Sequence, residues 1–172
     1  MTGSVLRFAV GGLFVALMVG STIYALARPT SGQSPDLSMA KPIHGIPCDQ
    51  SGQIAVHYHA HLDIFTGGRR VTVPAGIGIP RNGLCLYWIH THDTSGAIHI
   101  EAPAGQAGRI FTLGDFLAIW GGGPTTHVLV IVNGRPYPGD PDGIVLAAHE
   151  LITLETSPPE VPQPGFEFPQ GL

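Results

Sequence analysis

The sequence predicts an α+β domain built mainly of antiparallel β-hairpins with one short amphipathic helix, preceded by an N-terminal transmembrane or signal helix. Three observations carry this expectation. Short runs alternate apolar and polar side chains, as in "HYHAHLDIF" (57–65). Tight-turn pairs such as Gly67-Gly68 and Asn133-Gly134 join such runs, and a single good stretch, 112–123, has helical spacing. Composition agrees: charged residues are 12% of the chain against about 25% in ordinary domains, and 24 Gly with 16 Pro make it rich in turns.

Residues 8–27, "FAVGGLFVALMVGSTIYALA", are uncharged, mostly apolar and preceded by Arg7. Their length spans a hydrocarbon layer of about 30 Å at about 1.5 Å per residue. Ala25-Leu26-Ala27 also fits a small-residue cleavage site, so 1–27 reads as a membrane segment that is either a signal anchor or a signal peptide. The amino terminus and Arg7 outweigh Arg28, which places the rest of the chain outside the cytoplasm. The expected location is therefore the membrane, single-pass, or the exterior if the segment is cleaved. Residues 28–42 are polar and carry no hydrophobic period, which is the pattern of a flexible tether.

The domain proper is expected over 43–156. Ile54 to Phe65 alternates, Gly67-Gly68 turns, and Arg70 to Val73 returns before Pro74, giving a first hairpin. "PRNG" (80–83) is a turn, after which Leu84 to His92 leads through "DTSG" into "AIHIE", the second hairpin. In "TLGDFLAIWGGG" (112–123), Thr112 can cap a helix with Asp115 at capping-box spacing, and Gly121 to Pro124 stops it. "HVLVIVNGRPY" (127–137) turns at Asn133-Gly134, "GDPDG" (139–143) is a loop, and "LITLE" (151–155) is the last strand. The Pro-rich extension 157–172 has five prolines and should lie extended along the surface, anchored by Phe166 and Phe168.

The chain's most unusual count is 9 histidines, against 8 Lys plus Arg. In a strand, His57, His59 and His61 share a face with Asp63. In the second hairpin, an even-length turn at Asp93–Gly96 pairs residues whose numbers sum to 189, which sets His99 opposite His90 and Glu101 opposite Trp88. His90, His92 and His99 then meet on one face, at Cβ separations of about 5 Å that let imidazoles share an ion. His57, His59, His61, His90, His92 and His99 are the candidate metal ligands, and Asp63, Asp93 and Glu101 are placed to ligate or to orient a ligand ring. Neutral imidazole suits a divalent transition metal, zinc or copper(II) first. His127 and His149 are weaker candidates and His44 weaker still. The plainer alternative is a solvated or pH-sensitive histidine face.

Two cysteines, Cys48 and Cys85, lie in the exported part, where a disulfide is the simplest outcome and two buried thiols the alternative. A net charge of −4 argues against nucleic acid as a partner. The membrane is the one partner the sequence names, and no motif identifies a protein partner. The expected function is capture, sensing or delivery of a metal, with a water-activating metalloenzyme and a metal-free envelope interaction domain as the competing classes. No serine, cysteine or phosphate-cradling motif supports other chemistry.

"HYHAHLDIF", "VPAGIGI", "CLYWIHTHDTSGAIHIE", "FTLGDFLAIWG" and "VNGRPYPGDP" with "HELITLE" together resemble a family of uncharacterised exported or membrane-anchored bacterial proteins, over about residues 43–172. The resemblance implies an extracytoplasmic domain behind a membrane segment and supplies no reaction. "HTHDTSG" is also similar to the His-x-His-x-Asp-His string of metallo-β-lactamase-type hydrolases. Here Asp93 follows His92 directly and no histidine follows it, which departs from that string.

Overall fold

A computed structural model describes residues 40–50, 54–81, 83–127, 129–159 and 165–172. The expected membrane segment and most of the tether lie outside them. No helix among the described residues is long and apolar enough to cross a membrane.

The organising element is an eleven-residue strand. After the two-residue β1 (Cys48–Asp49), β2 (Val56–Thr66) carries the alternating run seen in the sequence. Gly67 and Gly68 both take positive φ, +57° and +76°, and close a two-residue turn into β3 (Arg69–Val71), with Phe65 opposite Arg70. The expected return strand thus starts one residue earlier and ends two earlier, before Pro74. β4 (Leu86–Tyr87) pairs with β1 in a separate two-stranded sheet, tied by the disulfide between Cys48 and Cys85. β5 (Ile89–His90) and β6 (Ala97–Ala102) pair antiparallel with Ile89 opposite Ile100 and His90 opposite His99, which is the register the even-turn argument predicts. The ladder stops there, because Thr91 turns away to donate its N–H to Ile77 O at 3.0 Å.

Helix α1 (Leu113–Trp120) starts at Thr112 with both halves of a capping box: Asp115 N–H donates to Thr112 Oγ1 (3.2 Å) and Thr112 N–H to Asp115 Oδ2 (3.1 Å). Gly121 ends it in the left-handed conformation, φ +66°. β7 (Leu129–Val132) and β8 (Arg135–Pro136) form the hairpin expected at Asn133-Gly134, and β9 is Leu151–Glu155.

The main sheet has seven strands. Six run in the order β5-β6-β2-β9-β7-β8, and β3 pairs with β2 off that path. The hairpin pattern leads to an antiparallel expectation, and the sheet is mixed: β9 lies parallel to β2, Leu62 opposite Ile152 and Ile64 opposite Leu154. One face of this sheet is apolar. Ala60, Leu62 and Ile64 of β2, Ile98 and Ile100 of β6, and Ile152 and Leu154 of β9 are buried with Leu113 and Phe116 of α1 in one core. The alternate residues of β2 are His57, His59, His61 and Asp63, so the helix side and the histidine side are the two faces of one sheet. That separation leaves the histidines free to meet each other across strands.

Candidate metal centre

Three neighbouring strands bring the two histidine groups together. β6 lies between β5 and β2, and the registers align His90, His99 and His59 in one cross-strand row. His57 faces Glu101 in the next row. The sequence did not reveal this union, because the β2–β6 pairing spans about 40 residues of chain with no short turn to set it.

The floor of the cluster is buried and its rim is wet. His90 is fully buried and His59 nearly so; His99 and Glu101 are half-buried, while His57 and His92 are exposed. His90 Nδ1 lies 2.9 Å from Tyr87 O, an acceptor only, so that nitrogen carries the proton and Nε2 presents its lone pair to the cluster. His90 Nε2 lies 3.1 Å from His92 Nε2, His59 Nε2 lies 3.0 Å from His99 Nδ1, and His57 Nε2 lies 3.2 Å from His59 Nε2. Glu101 Oε1 sits among them, 3.4 Å from His57 Nε2, 3.8 Å from His99 Nδ1 and 3.9 Å from His90 Nε2.

These spacings match coordination. Ligand atoms about 2.0 to 2.1 Å from a tetrahedral ion are about 3.3 to 3.4 Å from each other. The shorter separations already fall near that value, and the wider ones, up to 4.8 Å, would close to it through side-chain shifts of about an ångström. His90, His92, His99 and Glu101 form one group able to hold a metal ion, and His57, His59 and His99 form a second, with donor atoms in each within 4.8 Å of one another.

Protonation favours the same use. Burial, reinforced by repulsion from His59, His92, His90 and His57, pushes the His99 imidazole down to about 3. Burial also lowers His90, against the opposing pull of the Tyr87 carbonyl and of Glu101, and lowers His59, with His57 adding to the effect and Glu101 resisting it. At neutral pH these rings are neutral, which is the form that binds metal.

Three of the named residues sit elsewhere. His61 shares the face of His57 and His59 but lies deeper. Its Nε2–H donates to Ser95 O at 2.9 Å, its Nδ1 is 3.6 Å from Asp63 Oδ2, and Phe166 stacks on its ring at 3.7 Å between centroids. Asp63 is buried and ion-paired with Arg70. Asp93 accepts from Ser95 N–H at 2.8 Å and shapes the turn before β6. Of the weaker candidates, His44 Nδ1 is 3.1 Å from Asp115 Oδ1 at the helix start, and His127 lines a separate cleft of about 470 Å³ with Asp140 and Asp142. His149 donates its backbone N–H to His59 O at 2.7 Å while Phe168 stacks on its ring, so the C-terminal segment borders the histidine face through both of its phenylalanines. The role of Tyr87 escaped the sequence reading because its contribution is a backbone carbonyl. The chain matches no family model, no curated protein and no solved structure.

Proposed function

We propose that this chain is an extracytoplasmic domain, membrane-tethered or secreted, that binds a divalent transition metal, zinc or copper(II), for capture, sensing or delivery, and that it belongs to the family of exported bacterial proteins its strings resemble. One observation carries the metal reading: three imidazoles and a carboxylate from two adjacent strands and the turn between them bring their donor atoms within 4.8 Å of one another. Four protein donors complete a tetrahedron, and a filled shell favours holding an ion over activating water on it. The donor set is nitrogen and oxygen only, because both cysteines are spent in the disulfide. That set suits zinc and copper(II) and not copper(I). The Arg7-led apolar segment and the disulfide support placement outside the cytoplasm.

The test is elemental analysis of residues 41–172, exported to an oxidising compartment and purified without a histidine tag. About one ion per chain, lost in the H90A/H99A double variant, supports the reading. Substoichiometric metal that this variant leaves unchanged, with no thermal shift on adding divalent ions, would refute it and favour a metal-free interaction domain.

A further inference from the structure

His99 belongs to both groups of ligands. It stands on the middle strand of three, with His90 opposite it on β5 and His59 opposite it on β2. Its Nδ1 is 3.0 Å from His59 Nε2 and 3.8 Å from Glu101 Oε1, and that same carboxylate oxygen reaches toward His57 on one side and His90 on the other. Each flank has the same make-up, one buried histidine and one exposed: His90 with His92 on the β5 side, His59 with His57 on the β2 side.

His99 Nδ1 is the ring nitrogen that faces both Glu101 Oε1 of the first group and His59 Nε2 of the second, and its one lone pair bonds one cation at a time. Two dications drawn to the same nitrogen would also stand only a few ångströms apart, with a single carboxylate to offset their repulsion. The groups therefore exclude each other. We propose that the cluster holds one ion at a time in two alternative ligand sets that pivot on His99, forming a relay across the sheet with a solvent-facing histidine at each end. An ion crossing it trades His90, His92 and Glu101 for His59 and His57 while keeping His99, so it is never released to water between sets. This rests on the metal-binding reading and gives it a direction: the domain accepts an ion through one exposed histidine and presents it through the other, as a carrier handing a divalent metal to a partner's own ligands must.

Cobalt(II) titration of the folded domain, followed by visible absorption and by equilibrium dialysis, tests the relay. The wild type binds one cobalt per chain. H90A/H92A and H57A/H59A each still bind one, with different spectra, while H99A binds more weakly than either pair. Circular dichroism checks the fold, and H92A alone, at an exposed position, replaces the first pair if that pair fails to fold: it must keep one cobalt and take on a changed spectrum. Two cobalt ions per wild-type chain would overturn the relay and leave metal binding standing. Loss of all binding in H90A/H92A, or in H92A when that variant stands in for it, with H57A/H59A unaffected, would reduce the cluster to one fixed site. No cobalt on any form would sink both the relay and the reading beneath it.

Discussion

Replacing both cysteines, C48A/C85A, removes a cross-link between positions separated by 37 in sequence. For a loop of that length the chain-entropy relation gives about 13 cal/mol/K of denatured-state entropy restored, or about 4 kcal/mol at 25 °C. The compact unit, Leu37–Leu172, has roughly 135 residues and so an unfolding entropy near 0.28 kcal/mol/K, which converts that loss into a fall in Tm of about 14 °C. The local structure adds to the expectation. β1 has two residues and among the described residues pairs only with β4, so the sulfur bridge, the Trp88 Nε1–H bond to Asp49 Oδ2 (2.8 Å) and the Tyr87 O–H bond to Lys41 O (2.7 Å) tether this edge to the domain. Calorimetry and urea titration of the double variant against the oxidised parent measure the loss. A change under about 1 kcal/mol would refute the reasoning, since it would mean that the denatured chain is already confined without the bridge.

Gly96 has φ +95°, and a Cβ there would come within 2.4 Å of Leu62 O and 3.0 Å of His61 Nε2. G96A should cost about 2 to 3 kcal/mol, from the backbone strain and the disturbed Leu62 N–H bond to Gly96 O, and should weaken metal binding by moving β6; a variant of parental stability would contradict this. T112A removes the helix cap on the opposite face, so a loss of about 1 kcal/mol with unchanged metal content is expected in denaturation and dialysis. In the metal-free protein His59, His90 and His99 titrate below the ordinary 6.5 of the unfolded chain. The unfolded state thus takes up protons first. Stability is fully present above about pH 6.5 and falls as pH drops toward the folded values, by about 1.4 kcal/mol per pH unit for each proton in excess. Urea midpoints that stay flat from pH 7.5 to 5 would exclude this.

Legibility followed the length of chain that each feature has to span. The Gly67-Gly68 and Asn133-Gly134 turns and the Thr112 capping box are local chemistry, visible in a few letters each. His90 facing His99 was also legible, because a short even turn fixes both register and face. His59 facing His99 was not: a period of two says which side of a strand a ring occupies and nothing about which strand lies beside it. His61 shows the complementary gap. It stands on the predicted face, but β2 carries it to the row of Ala97, beside Gly96, where the Ser95 carbonyl and Phe166 take up its ring. The parallel seam between β2 and β9 joins residues some 90 apart, a pairing no local pattern encodes.

That seam has a temporal consequence. β9 sits between β2 and β7 and receives hydrogen bonds from both, yet among the described residues it is the last strand in chain order. A nascent chain that ends before Leu151 has two part-sheets, β5-β6-β2 and β7-β8, with nothing to join them, and each would expose an apolar face. The seven-stranded sheet therefore closes only once Leu151–Glu155 is in place, and its long-range pairings make that closure the slow step of assembly.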